Sequence, residues 1–201
     1  NLKKLFNLSL ADNLLHGSIP QEIGALSSLE LLDLSSNNLN GLVQYSIEHC
    51  LKLRLLKLNH NNFIGNIHAE LGSLRNLYEL DLSDNSFFGE IPSQVSGLSM
   101  LESLNLSHNE LNGSIPSSFQ SMESLTSIDV SYNELEGPVP NSKLFQQAPN
   151  QRFMHNKMLC GVVNGLPPCN SVTQSRGKWK GYKILVLAPV LALICLILIV
   201  M

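Results

Sequence analysis

The feature of this sequence that most constrains its fold is one pattern that returns every 24 residues. The pattern is L-x-x-L-x-L-x-x-N-x-L-x-G-x-I-P, and its copies begin at Leu5, Leu29, Leu53, Leu77, Leu101 and Leu125. No insertion separates the copies. A fixed period of this length is typical of a solenoid, in which each coil packs only on its neighbours. The period therefore predicts the architecture before any single residue is considered.

The shared positions of the pattern have physical roles that identify it as a leucine-rich repeat. The two leucines of Leu-x-Leu face one side of a short strand, and strands of successive coils stack in parallel about 4.8 Å apart. The asparagine that follows can pair with backbone groups of the turn, which would otherwise be buried without partners. We therefore expect residues 1–144 to form an α/β solenoid with a parallel concave sheet and six 24-residue coils. The structural asparagine ladder consists of Asn13, Asn37, Asn61, Asn85, Asn109 and Asn133.

The repeat pattern is lost in residues 145–172, which we assign to a C-terminal cap. A solenoid end needs a cover over its last leucine layer, and Phe145, Phe153 and a short loop closed by Cys160 and Cys169 would supply one. The competing interpretation of the cysteine pair is a metal site, which the lack of a matched second pair or a histidine partner disfavours. We therefore expect a disulfide between Cys160 and Cys169.

The composition changes again at the C-terminus. Residues 173–183 form a basic juxtamembrane linker, and residues 184–201 are an uncharged hydrophobic run. At ~1.5 Å per residue a helix of that length reaches about 27 Å, close to the ~30 Å hydrocarbon core of a bilayer. We therefore expect one transmembrane helix in the plasma membrane, with the repeats outside because a long exported domain overrides the positive-inside rule. The chain starts in mid-repeat and ends inside the hydrophobic run, so we expect it to be truncated at both ends.

The charge balance of the repeats argues against one class of partner. Residues 1–175 carry nine lysines and arginines and sixteen aspartates and glutamates, a formal net charge of −7. A nucleic-acid-binding domain is expected to present a basic patch instead. We therefore expect no nucleic-acid partner.

Residues that face solvent on the concave strands form the candidate ligand-binding surface. Equivalent positions of successive coils lie side by side, so Leu31 and Leu55 are expected to form an exposed apolar pair with charged and aromatic residues around it. Such an arrangement is typical of a protein or peptide contact, and the alternative is tolerated surface variation. The full candidate set is Leu31, Asp33, Arg54, Leu55, Lys57, Tyr78, Glu79 and Asp81.

The last concave column contains titratable residues, with His60 and His108 on either side of Asp84. The two histidines are two coils apart, roughly 10 Å, which is too far for joint zinc ligation. We expect simple polar exposure here rather than a metal site, with a pH-sensitive contact as the alternative. No catalytic residue, metal or cofactor is expected in this chain.

Three N-x-[ST] sequences start at Asn7, Asn105 and Asn112. They are possible glycosylation sites, although such matches are frequent by chance in a serine-rich chain. Together with the expected disulfide, they favour an oxidising, exported compartment. Asn7 and Asn105 lie on concave columns, so glycans there would leave the second to fourth coils as the open surface.

The repeats and the segments after them carry a family resemblance. The G-x-I-P form of the repeat, as in Leu101–Pro116, resembles the plant leucine-rich repeat. The order of repeats, cysteine pair and single span resembles plant receptor-like kinases. A finer resemblance is to the male-discoverer-interacting receptor-like kinase group. This chain departs from the group's pattern at His155, where a glycine is usual. The residues that carry it are Pro140–Pro149, Asn156-Lys157, Leu159-Cys160-Gly161 and Gly165–Cys169.

The resemblance implies a cell-surface receptor whose concave face binds a secreted peptide or protein ligand. It also implies a co-receptor ectodomain at the last coils and a cytoplasmic Ser/Thr kinase. None of the kinase motifs is present in the sequence, so ATP and Mg are implied only for a kinase domain absent from this chain.

Two other functions fit the same sequence. One is a receptor-like protein with only a short cytoplasmic tail, which would signal through a partner. The other is a soluble leucine-rich repeat inhibitor of a secreted hydrolase, which would require residues 184–201 not to span a membrane.

Overall fold

The computed structural model describes residues 2–43 and 45–169, and there the predicted solenoid with parallel strands is confirmed. Within these residues, six strands of three residues pair in chain order to form the concave sheet. The strands are β1 (Asn7–Ser9), β3 (Leu31–Asp33), β5 (Leu55–Lys57), β7 (Glu79–Asp81), β9 (Ser103–Asn105) and β11 (Ser127–Asp129).

A second parallel sheet follows the turn after each concave strand, and the repeat pattern does not predict it. In the described part of the chain its strands are β2 (His16–Gly17), β4 (Asn38–Leu42), β6 (Asn62–Gly65), β8 (Ser86–Glu90), β10 (Glu110–Gly113), β12 (Glu134–Val139) and β13 (Met158–Gly161). The shared glycine of each repeat lies in or at the end of these strands, as Gly65 does with a φ of +94°. Glycine adopts this left-handed backbone without steric cost, which explains its place in the pattern.

The convex side lies opposite the concave sheet, and there the structure differs from the α/β solenoid that the sequence predicted. Its segments are 3₁₀ helices, and among the described residues α-helix is confined to the cap helix α1 (Lys143–Gln147). The bond that closes each 3₁₀ segment spans three residues rather than four, as in the Leu74 N–H to Leu71 carbonyl bond of 3.1 Å. The 3₁₀ helices are Gln21–Ala25, Tyr45–His49, Ala69–Ser73, Ser93–Gly97, Ser117–Ser121 and Asn150–Phe153.

The core between these three sides consists of stacked apolar layers. Leu56 is fully buried on its concave strand, and Phe63 and Phe87 stack in the interior with ring centroids 6.4 Å apart. Burying a side chain of this size stabilises the fold by about 1.5–3 kcal/mol. Because each coil contributes the same layer, the concave strands are held on a continuous and rigid base.

The asparagine ladder ties each turn to the next coil. In Asn61, Nδ2 donates to the carbonyl of Leu34 at 2.9 Å and Oδ1 accepts from the N–H of Leu39 at 3.0 Å. The cap contains a further rung that the repeat period does not include, because Asn156 accepts from the N–H of Leu135 at 3.0 Å. The ladder therefore continues one turn beyond the last repeat.

The repeats and most of the cap belong to one compact unit that ends at Leu166. In this unit, Phe145 and Phe153 of the cap are buried, with ring centroids 6.0 Å apart. Cys160 and Cys169 are both disulfide-bonded, which supports the expected bridge.

The predicted linker at 173–183 and the predicted transmembrane helix at 184–201 lie outside the described residues. Within the described ranges, no helix has the length and apolar character needed to cross a bilayer.

Candidate functional site

The strands β3, β5 and β7 place predicted site residues in two adjacent rows. One row consists of Leu31, Leu55 and Glu79, and the other of Asp33, Lys57 and Asp81, with successive members directly opposite each other. Between the rows, each strand carries a buried leucine, such as Leu56. Since neighbouring residues of a strand point to opposite faces, both rows face the concave surface.

A cavity of about 260 Å³ opens beside the first row. It brings together four of the predicted residues, Leu31, Arg54, Leu55 and Tyr78. The other four, Asp33, Lys57, Glu79 and Asp81, lie on the adjoining concave surface and do not line the cavity.

Two residues of the cavity wall, Asn7 and Glu30, were missed by the sequence analysis. Both residues could have been identified from the alignment of equivalent positions in successive coils. Asn7 lies directly opposite Leu31, and Glu30 occupies the position in its coil that Arg54 and Tyr78 occupy in the next two. A search by column would therefore have found both.

Leu31 and Leu55 are half-buried, which corrects the expectation of an exposed apolar pair. Both leucines line the cavity together with Arg54 and Tyr78, and Tyr78 is 45% exposed. The apolar area is thus the wall of a recess rather than a raised patch. A recess of this kind suits the insertion of one apolar side chain from a ligand.

Lys57 is already neutralised by its surroundings. Its Nζ lies 3.0 Å from Oε1 of Glu79, and the hydrogen bond to Glu79 raises the pKa of Lys57 above its ordinary value. The negative charges of Asp33 and Asp81 raise this pKa further, against the opposing effect of partial burial. The lysine therefore adds little net positive charge to the concave surface.

Tyr78 lies at the edge of the cavity. Its interaction with Glu102 raises the pKa of the Tyr78 phenol above its ordinary value. Tyr78 is 45% exposed, so the face of its ring can contact a ligand.

The turn after each concave strand carries an unusual backbone. Asp12, Ser36, His60, Asp84, His108, Tyr132 and His155 all have φ between +51° and +58°. Non-glycine residues seldom adopt this left-handed conformation, and aspartate and histidine adopt it more readily than most. The shared conformation aligns these side chains in one column along the edge of the concave sheet.

The histidines of this column make contacts that the sequence analysis did not foresee. Nδ1 of His60 lies 3.4 Å from Oδ2 of Asp84, and Nδ1 of His108 lies 3.9 Å from Oδ1 of the same carboxylate. Tyr132 stacks between His108 and His155, with ring centroids 4.1 Å away on each side. The expectation of simple polar exposure is therefore incomplete. In the part of the chain that the structure describes, no group of three or more histidine, cysteine or acidic side chains is arranged to hold a metal ion.

The predicted glycosylation sites differ in their surroundings. Asn7 lines the cavity, and Asn112 is exposed on β10. The Nδ2 of Asn105, the atom that would carry a glycan, donates to Oγ of Ser83 at 3.1 Å. The same Nδ2 also lies 3.4 Å from Oδ2 of Asp81, and because a glycosylated amide keeps one N–H, a glycan at Asn105 would displace one of these two contacts.

Two other surfaces were not foreseen. Leu42, Ile64 and Phe88 leave about half of each side chain exposed on the second sheet, where Leu42 lies opposite Ile64. A larger cavity, of about 580 Å³, lies where the last repeat meets α1 and is lined in part by Lys143 and Arg152. Its shape follows from the join between repeat and cap, whereas the concave cavity lies where side chains vary on a fixed scaffold.

Comparison with known proteins places the chain among repeat proteins. The family described as Leucine rich repeat matches residues 75–135, and a second family of the same description matches residues 28–50. No curated protein matches the chain.

Three solved structures are similar to this chain. The plant peptide hormone receptor RGFR1 in complex with RGF2 is 38% identical over 78% of this chain, with a TM-score of 0.75. The Arabidopsis receptor kinase HAESA in complex with the peptide hormone IDA and the co-receptor SERK1 is 31% identical over 84%, with a TM-score of 0.64. This chain spans only 25% of the RGFR1 chain and 32% of the HAESA chain.

The third is the leucine-rich repeat ectodomain of the receptor kinase SOBIR1 from Arabidopsis thaliana. It is 38% identical, with a TM-score of 0.62, and the match covers 66% of this chain and 73% of that one.

Proposed function

This chain belongs to the leucine-rich repeat family, and from that premise we propose that it is the ligand-recognition part of a plant cell-surface receptor. It binds a secreted peptide or protein ligand on its concave face. The chain itself is non-catalytic, since it is a repeat segment without a kinase domain.

The observation that carries the proposal is the concave cavity. Leu31, Leu55 and Tyr78 provide an apolar wall, while ion-paired Lys57 and Glu79 stand beside it on the same rigid strands. Binding sites for small ligands combine an apolar recess with a few oriented polar groups in this way. The similarity to RGFR1 and HAESA, both solved with peptide hormones, supports a peptide as the ligand.

The finer parts of the proposal rest on the sequence resemblance. They are a single membrane span at residues 184–201, an extracellular location of the repeats, and a cytoplasmic Ser/Thr kinase beyond this chain. A co-receptor as a partner is supported by the HAESA complex with SERK1, and its place at the last coils rests on the sequence resemblance. Assignment to the male-discoverer-interacting group rests on Pro140–Pro149 and the cap residues that follow.

A peptide library displayed on phage tests the proposal. It is selected on the wild-type chain, on the double variant Leu55→Asp/Lys57→Glu, and on the control Asn62→Asp, which changes an exposed residue of β6, off the concave sheet. Circular dichroism confirms that all three are folded. We expect the same peptides to be enriched on the wild type and the control, but not on the double variant. Enrichment of the same peptides on all three proteins would place the binding site elsewhere.

A further inference from the structure

We propose that the ligand of the concave cavity is a basic peptide segment in a polyproline II conformation, with positive side chains at every third residue. This inference rests on the proposed function, because it names the class of ligand that the same site takes. It is carried by the charges of the concave surface, by their orientation and by their spacing.

The first step is the sign of the concave surface around the cavity. On the concave columns of the described strands and the residues just before them, from β3 to β11, the carboxylates are Glu30, Asp33, Glu79, Asp81, Glu102 and Asp129. The cations that reach this surface are Arg54, Lys57 and Arg152. Carboxylates therefore outnumber cations by two to one.

The second step is that two of these cations already have partners. Lys57 is paired with Glu79 at 3.0 Å, so these two charges cancel, whereas Nη1 of Arg152 donates to the neutral Oγ of Ser127 at 2.6 Å, which orients the guanidinium and keeps its charge. With six carboxylates and three cations, the surface that a ligand meets carries a formal net charge of −3. Complementary charge is what steers a partner to such a surface and suppresses the wrong ones.

The third step is the orientation of three aspartates. The Oδ1 atoms of Asp33, Asp81 and Asp129 each accept two bonds from the serine two residues later. The hydroxyl bonds are 2.6, 2.6 and 2.7 Å long, and the backbone N–H bonds are 3.0 Å in each case. This arrangement fixes each carboxylate and leaves Oδ2 as the oxygen that can accept from a ligand. Oδ2 of Asp81 has one weak internal contact, 3.4 Å from Nδ2 of Asn105.

The fourth step is the spacing of these carboxylates. Asp33, Asp81 and Asp129 lie on every second strand, with Lys57 and Asn105 on the strands between. With strands about 4.8 Å apart, neighbouring aspartates are about 9.6 Å apart. A polyproline II peptide rises ~3.1 Å per residue with three residues per turn, so every third side chain points the same way about 9.3 Å further on.

The cavity then defines the register of this peptide. Leu31 and Leu55 lie two residues before Asp33 and Lys57 on the same strands, so the apolar recess adjoins the first aspartate. A peptide whose first basic residue contacts Asp33 would place an adjacent aliphatic side chain in the recess. The predicted ligand is therefore an aliphatic residue followed by lysine or arginine at every third position.

Three synthetic peptides test this inference on the full 201-residue chain. The first carries one leucine and then lysine at every third position, with proline and alanine between. The second has the same composition with its lysines contiguous, and the third replaces lysine by glutamate. Affinities are measured by isothermal titration calorimetry at low ionic strength, where such contacts are least screened. We expect the spaced basic peptide to bind most tightly and the acidic peptide least.

The matched variant is Asp81→Asn/Asp129→Asn. The column already contains an asparagine, since Oδ1 of Asn105 accepts from the hydroxyl of Ser107 at 2.9 Å. The substitution therefore removes charge and keeps the local hydrogen bonds. We expect the double variant to bind the spaced peptide about threefold to tenfold more weakly than the wild type does, and to bind the acidic peptide no more weakly.

The outcomes separate this inference from the proposed function. Equal affinity for the spaced and contiguous basic peptides, or no effect of the double asparagine variant, overturns the inference. So does failure of the spaced peptide to bind. If library peptides that depend on Leu55 lack the basic spacing, the inference fails while the proposed function stands. If enriched peptides are indifferent to Leu55, the proposed function fails as well.

Discussion

Lys57 and Glu79 form an ion pair of 3.0 Å across β5 and β7, although the residue directly opposite Lys57 in strand register is Asp81. Asp81 is held by Ser83, whose hydroxyl donates to its Oδ1 at 2.6 Å. Lys57 therefore reaches diagonally to the neighbouring row. Charges that look evenly mixed in the sequence are in fact sorted into an internal pair and a set of oriented carboxylates.

This pair predicts the pH dependence of Lys57. The hydrogen bond to Glu79 is the largest cause of the raised pKa of Lys57, so Glu79→Gln should lower that pKa. Because the folded-state pKa is the higher one, the stabilisation is complete below the ordinary lysine value of ~10.4 and is lost as the pH rises through the raised value. An NMR titration of the Lys57 side chain checks this. The control Glu102→Gln should leave the Lys57 pKa unchanged, and an equal pKa in the wild type and Glu79→Gln would contradict the account.

The asparagine ladder predicts a large loss of stability from a small substitution. Asn61→Ala would leave the N–H of Leu39 without its amide partner, whereas the carbonyl of Leu34 would keep the Nδ2 of Asn37 at 3.2 Å. At ~1–3 kcal/mol for a buried unpaired group, we expect the free energy of unfolding to fall by about 1–3 kcal/mol. Urea denaturation measures this change.

The neighbouring residue provides the control for the ladder. Asn62 has the same side chain but is exposed on β6, so Asn62→Ala should change the free energy of unfolding by less than about 0.5 kcal/mol. Similar losses in the two variants would show that the amide bonds of Asn61 are not what stabilises the turn.

The cysteines of the cap predict a redox-dependent stability. Because Cys160 and Cys169 are disulfide-bonded, we expect a reductant to lower the free energy of unfolding by about 2–4 kcal/mol. The double variant Cys160→Ser/Cys169→Ser should lose this response. Cys50 is free and buried, so the variant Cys50→Ala should still lose stability when the reductant is added. The same wild-type denaturation midpoint with and without reductant would contradict the prediction.

The spacing of leucines and asparagines was sufficient to predict the solenoid and its parallel concave strands. It was sufficient because each shared position has one physical role, repeated in every coil. The second sheet was not predictable in this way. Its strands, such as β2 at His16–Gly17, contain the shared glycine of the repeat, a residue that is depleted in strands.

The candidate site was predictable in its columns but not in its shape. Column register placed Leu31 beside Leu55, whereas their half-burial depends on how neighbouring side chains pack around the cavity. The stack of His108, Tyr132 and His155 depends on a left-handed turn conformation that no residue pattern signalled. Both features depend on tertiary side-chain packing and on backbone conformation, which the spacing of residues in the sequence does not specify.

The central claim is that the concave cavity recognises the ligand, and the most direct test is a dissociation constant. A library peptide enriched on the wild type is titrated into the wild-type chain, Leu55→Asp and Asn62→Asp, of which the last changes an exposed residue of β6, off the concave sheet. Burying a carboxylate in the apolar wall should weaken binding at least about tenfold in Leu55→Asp, with the denaturation midpoint unchanged, while Asn62→Asp binds as the wild type does. Equal dissociation constants for all three proteins would contradict the account.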